Sequence, residues 1–168
     1  TQNTAIGYQS GQSLTTGSYN TFAGYQVADG GTITGDENTA MGVTALQALT
    51  SGNRNTAIGV RAGLVMATGS ENIFIGKDAG DSATACSNVI AIGHNAMHTV
   101  STSTNVNGTI AIGESSLDAL TTGSENVAIG YETMKEATTS NKNTCLGYRT
   151  MYRCNTGEDV SNTFIGYM

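Results

Sequence analysis

The sequence predicts an all-β chain: a single-stranded parallel β-roll, or β-solenoid, of about ten rungs of ~17 residues each. Three observations lead there. One short apolar block recurs ten times, and the glycines closing successive blocks stand 17, 18, 17, 17, 17, 20, 17, 17 and 19 residues apart. The block itself alternates in character with the two-residue period of a strand. Of the 168 residues, 22 are Gly, 26 Thr, 15 Asn and 14 Ser, against 3 Phe and no Trp or Pro, so the chain lacks the bulky side chains of a thick globular core.

Taken in order, the blocks read NTAIG (Asn3 to Gly7), NTFAG (Asn20 to Gly24), NTAMG (Asn38 to Gly42), NTAIG (Asn55 to Gly59) and NIFIG (Asn72 to Gly76). They continue as VIAIG (Val89 to Gly93), TIAIG (Thr109 to Gly113), NVAIG (Asn126 to Gly130), NTCLG (Asn143 to Gly147) and NTFIG (Asn162 to Gly166). A period of about 17 is too short for a helix pair, whose common repeats take about 33 residues or more, and suits one turn of a solenoid. Upstream of the blocks, Gly17, Gly35, Gly52, Gly69 and Gly123 each stand seven residues before a closing glycine, where a turn of positive φ is expected. Downstream, segments such as Thr44 to Leu49 and Ser116 to Leu120 are expected as second strands, being too short between glycine turns for a stable helix.

Stacked rungs put like residues in columns about 4.8 Å apart. The column before the closing glycine reads Ile6, Ala23, Met41, Ile58, Ile75, Ile92, Ile112, Ile129, Leu146 and Ile165. The next but one reads Ala5, Phe22, Ala40, Ala57, Phe74, Ala91, Ala111, Ala128, Cys145 and Phe164, and points the other way. The Asn column is expected either to form amide ladders along the stack or to cap the turn locally. If the Ala face closes against its own rung, the Ile face is left over. About ten such side chains, at roughly 1.5–3 kcal/mol each, call for a covering surface, which cyclic self-association supplies.

The repeats NTAIGY (Asn3 to Tyr8) and LTTGS (Leu14 to Ser18) resemble the head domains of trimeric autotransporter adhesins, the YadA-type left-handed parallel β-roll, and repeats of phage tail fibres and other bacterial trimeric surface fibres. The resemblance covers essentially the whole chain. It implies a homotrimer in a fibre that projects from a bacterial cell surface or a virion, is extracellular, and attaches to a glycan or protein of a target cell. Residues 1–168 are then one repeat array cut from a longer fibre, with no site of catalysis and no cofactor.

Charge supports a non-enzymatic, non-nucleic-acid reading. Seven Lys plus Arg face 13 Asp plus Glu, for a net charge of −6, and no basic cluster is available to hold a phosphate backbone or an anionic membrane. No apolar run approaches the ~18 residues of a membrane helix. The only histidines, His94 and His98, lie in the longest rung without a Ser or Asp in a nucleophile arrangement, and no phosphate-loop lysine is present. They are weak candidates for a metal held on a threefold axis, and more simply read as loop residues. Cys145 takes the small-residue column, Cys86 falls in a turn and Cys154 in the long last rung; a Cys145–Cys154 disulfide would have to join different sides of the roll.

Candidate ligand-facing residues are the tyrosines that follow closing glycines, Tyr8, Tyr25, Tyr131, Tyr148 and Tyr167, whose alternative role is packing between chains. Met97 and His98, in the long stretch from Asn95 to Gly108, complete the set. That stretch, together with Asp29 to Asp36 and Arg153 to Ser161, is expected as an irregular exposed loop. Two other readings are weighed: a spacer that holds a distal tip, and an ice-binding solenoid, which is disfavoured because only Thr32 and Thr34 give Thr-x-Thr cleanly in a strand-like context and the Thr column shares a face with the Ile column.

Overall fold

The computed structural model describes residues 2–100, 106–153 and 161–168. Ten strands, β1 (Thr4–Ile6), β2 (Thr21–Tyr25), β3 (Thr39–Val43), β4 (Thr56–Ile58), β5 (Ile73–Ile75), β6 (Ile90–Ile92), β7 (Ile110–Ile112), β8 (Val127–Ile129), β9 (Thr144–Leu146) and β10 (Thr163–Ile165), form one sheet. Every neighbouring pair is parallel and the order is β1 to β10, so the chain is an all-β solenoid of about nine turns, with no helix among the described residues. Each block pairs with the next at the same position, as in Ala57↔Phe74 and Ile58↔Ile75. Longer rungs keep that register: Ala91 still meets Ala111 across 20 residues, so the extra chain is absorbed outside the strand.

The closing glycine is required by the backbone itself. Gly24 and Gly147 have φ of 140° and 129°, and a Cβ on either would stand 1.8 and 1.9 Å from the carbonyl oxygen of the glycine one rung on. The upstream glycines behave differently from expectation. Only Gly123 among them has positive φ (124°); Gly17, Gly35, Gly52 and Gly69 do not. What they supply is proximity, since a Cβ on Gly35 would lie 2.0 Å from Gly52 O and one on Gly52 2.4 Å from Gly69 O.

The expected second strands are not strands. Thr44 to Leu49 and Ser116 to Leu120 are turns in which residues of positive φ alternate with ordinary ones, as at Thr44 (52°) and Leu46 (47°), or Ser115 (53°) and Leu117 (52°). They nonetheless bond rung to rung: Leu46 N–H donates to Ala62 O at 3.0 Å and Leu117 N–H to Thr133 O at 3.0 Å. Those bonds hold non-glycine residues in a conformation they otherwise avoid.

The core is a narrow slot between the inward strand column and these turns. Ala40, Ala57, Ala91, Ala111 and Ala128 are fully or almost fully buried, and Leu46, Met97, Leu117 and Met134 fill the space facing them. Where the strand column carries Phe, the turn gives way. Gly63 and Gly80 flank Phe74, so close that a Cβ on Gly80 would lie 2.4 Å from the ring. The third apolar contributor, seen at Leu49, Met66 and Leu120, is buried as well.

Asn20, Asn38, Asn55 and Asn72 are buried and do both things expected of them. Asn55 N–H and Nδ2 donate to Asn38 Oδ1, each at 3.0 Å, and Nδ2 also donates to Gly69 O at 2.8 Å. Asn38 Nδ2 adds a local bond to Asp36 O at 3.1 Å. A second polar ladder runs beside it, in which Ser18, Asp36, Asn53 and Ser70 donate backbone N–H to the side chains of Asp36, Asn53, Ser70 and Ser87 in turn.

Candidate functional site

The feature of the molecule that its own chain does not use is the outward sheet face. Alternation sends Ala57 inward at 0% exposure and its neighbour Ile58 outward at 38%. The Ile column is exposed at Ile6, Met41, Ile58, Leu146 and Ile165 and half-buried at Ala23, Ile75, Ile92, Ile112 and Ile129. Beside it on the same face runs a second outward column, Thr4, Thr21, Thr39 and Thr56, then Ile73, Ile90, Ile110 and Val127, then Thr144 and Thr163. Both columns are therefore apolar over β5–β8 and mixed elsewhere.

Two edges flank this face. The leading edge, just before the Asn column, carries Glu37, Arg54, Glu71, Asn88, Glu125 and Lys142, with Arg54 and Glu71 paired at 2.7 Å. The trailing edge, just after the closing glycines, carries Tyr8, Tyr25, Val43, Val60, Lys77, His94, Glu114, Tyr131, Tyr148 and Tyr167. Its tyrosines stack on one another: Tyr8 on Tyr25 at 5.2 Å, Tyr131 on Tyr148 at 5.2 Å and Tyr148 on Tyr167 at 4.9 Å between ring centroids. Stacking covers both faces of Tyr148, leaving its edge and hydroxyl for any partner, while Tyr8 and Tyr25 each keep one face.

The two histidines do not converge. His94 lies 3.8 Å from Glu114 on the trailing edge, whereas His98 Nδ1 lies 3.4 Å from Asp118 and its Nε2 3.9 Å from Asp81. Among the described residues no group of three or more His, Cys, Asp or Glu is placed to hold a metal. Met97 is a correction to the candidate ligand surface. It is fully buried, because its column faces inward with Leu46 and Leu117, and only His98 beside it reaches solvent.

Of the expected loops, only the first is described throughout, and it is built into the stack. Asp29 to Asp36 is tied to both neighbouring rungs, with Ile33 buried and bridged to Leu14, and Gly30 N–H donating to Gln47 O. In Asn95 to Gly108, Val100 and Val106 are buried, and residues 101–105 lie outside the described residues. Most of Arg153 to Ser161 lies outside them too, and so does Cys154, so the Cys145–Cys154 pairing weighed above falls outside the described residues. Cys145 is itself buried, with Sγ 3.3 Å from Met151 Sδ. Burial pushes the Cys86 thiol up to about 12.

A charged strip on the turn side was not read from the sequence. Arg61 pairs with Asp78 at 3.2 Å and with Asp81, both carboxylates being largely covered. Farther along, Glu132 accepts a hydrogen bond from Lys135 at 2.7 Å and is ion-paired with Arg149 at 2.8 Å. The Lys135 hydrogen bond holds the Glu132 carboxyl below its usual range, and the same bond raises Lys135. The signal was available as charged residues recurring two and five positions after closing glycines. These pairs neutralise one another along the stack and present no converging nucleophile and base. A depression of about 280 Å³ at the last rung, lined by Met151, Phe164, Ile165 and Tyr167, is the uncovered end of the core slot.

Comparison with family models, curated proteins and solved structures finds no match to this chain.

Proposed function

We propose that the chain is the repeat array of a non-enzymatic homotrimeric fibre, of adhesin or tail-fibre type, that acts outside the cell and mediates attachment to a target cell surface. The observation that supports this best is the outward sheet face, where two adjacent apolar columns on β5–β8 stand on a rigid stack whose inward face is already satisfied. Each such side chain gains on the order of 1 kcal/mol or more when covered, and a repeated column is covered most economically by copies of itself. Three copies turning this face inward close a prism that leaves the turn side, the charged strip and the long rungs outward, where a glycan or protein of another cell would meet them. Light scattering should give about three times the 17.2 kDa of one chain; a folded monomer removes the proposal.

The alternative is a spacer with no binding site of its own. Removing residues 102–104 brings the Gly93 to Gly113 spacing to the common 17, a change that costs the fold little. Cell attachment lost on that deletion supports recognition by the long rung. Attachment unchanged by it and by trimming residues 154–160 favours the spacer.

A further inference from the structure

We propose that Asn107 is a self-modifying site: in the folded chain the backbone nitrogen of Gly108 closes on the Asn107 side-chain amide, ammonia leaves, and water opens the ring to aspartate or isoaspartate.

Asn107–Gly108 is the single Asn-Gly pair of the sequence. Asn107 stands six residues before a closing glycine, in the column whose side chains accept a backbone N–H from the preceding rung. Two other asparagines, Asn53 and Asn141, occupy the same column and serve as internal controls. Oδ1 of Asn53, Asn107 and Asn141 accepts from Asp36, Ser87 and Ser124 N–H at 2.8, 2.8 and 2.9 Å. Each of those N–H groups polarises the side-chain carbonyl. Each also stands where negative charge develops on Oδ1 when a nucleophile adds to Cγ, as an oxyanion-hole donor does.

The three sites differ in the attacking group. Arg54 follows Asn53 and Lys142 follows Asn141, and their N–H groups donate to Asp36 O and Ser124 O, each at 3.0 Å. The equivalent bond after Asn107, from Gly108 N–H to Ser87 O, is 3.4 Å, which leaves the nitrogen loosely held. Gly108 also has no Cβ to crowd the closing ring. Asn107 is exposed, whereas Asn53 and Asn141 are half-buried, so water has its best access at Asn107.

In the reaction Gly108 N gives its proton to a base in solvent and bonds to Asn107 Cγ, an intramolecular attack by a neighbouring group. The Cγ–Nδ2 bond breaks, Nδ2 departs as ammonia, and a succinimide remains. One water then adds. Opening at Cγ gives aspartate; opening at the backbone carbonyl gives isoaspartate, whose main chain runs through the side chain and is one methylene longer. Aspartate fits the stack, because Asp36 in the same column accepts Ser18 N–H at 2.7 Å. Isoaspartate moves the acceptor away from Ser87 N–H, between rungs whose buried column already carries Val89 and Thr109 in place of asparagine.

The test is peptide mapping by mass spectrometry of the folded wild-type chain held at mildly alkaline pH, with an isoaspartate-specific methyltransferase reporting the second product. Asn107 should convert while Asn53 and Asn141 stay intact over the same interval. Gly108→Lys copies the residue that follows Asn141 and should fold, since Lys142 and Gly108 have φ of 56° and 70°. Among the described residues a Cβ at Gly108 would meet Glu125 Cγ at 3.7 Å, an ordinary contact. In that variant conversion at Asn107 should drop to the rate of Asn141. Conversion of Asn107 only in chain unfolded by urea, or no faster than that of Asn53 in folded chain, overturns the proposal. So does conversion undiminished in Gly108→Lys. Amide exchange at Ser87 should quicken in the isoaspartate fraction relative to Asn107→Asp, and equal exchange in the two overturns the effect on the stack.

Discussion

Ala111 and Ile112 are adjacent, yet one is fully buried and the other half-exposed, and the same contrast recurs on every inner strand of the stack. The inward face is complete within one chain: small strand residues meet large turn residues, and large strand residues meet glycine. The outward face has no such complement among the described residues. A solenoid this thin has one interior, so a strand that is apolar on both sides carries more apolar surface than its own turns can cover.

The sharpest way to break that contrast is to place the same charge on each side. Ala111→Asp buries an unpaired carboxylate in the slot and should abolish the β signal in circular dichroism. Ile112→Asp should leave that signal intact and lower the mass measured by light scattering. Loss of folding in both variants would mean that the two faces are not distinct. A smaller probe compares another adjacent pair. Phe74→Ala should cost about 3–5 kcal/mol in denaturant unfolding, since the glycines on either side of the ring cannot fill the hole. Ile75→Ala should cost about 1 kcal/mol in a dissociated chain and more in an assembled one.

At the border of the inward face, Asn55→Ala removes the acceptor for Asn72 N–H and the donor to Gly69 O. It should cost about 2–3 kcal/mol and speed amide exchange at Asn72. The smallest effect is from Cys86. Its thiol ionises at 9.0 when unfolded and at about 12 when buried, so the folded state keeps a proton that the unfolded state releases. Stability is therefore full below pH 9 and declines as pH rises toward 12, by on the order of 1 kcal/mol at pH 10. Cys86→Ala should flatten that part of the pH–stability profile.

The blocks, their register and the division of strand residues into inward Ala and outward Ile were legible in the sequence, because a column of identical residue types survives insertions elsewhere in the rung. Conformation on the turn side was not. Positive φ is announced at Gly11, Gly63 and Gly80 but is equally adopted by Thr44, Leu46, Arg61 and Met97, whose side chains give no sign of it. Bonds from the adjoining rungs impose it, and a single rung read alone does not contain them. Met97 was misplaced for the same reason: without the alternation of the turn, the residue facing the slot is indistinguishable from the one facing water. The candidate contact surface was legible as a leftover column.

The amide ladder has one interruption. It runs from Asn3 to Asn72, where Asn72 Oδ1 accepts from Val89 N–H, and resumes at Asn126, with Val89 and Thr109 standing where asparagines would be. In a fibre pulled along its length, each rung passes the load only to its neighbours, so the array yields where coupling between neighbours is weakest. A lone chain under tension should therefore part near β6 and β7 into two blocks, each still held by its own asparagines. The same rungs carry the apolar patch, so bundled copies would splice one another at the point where each is most easily torn.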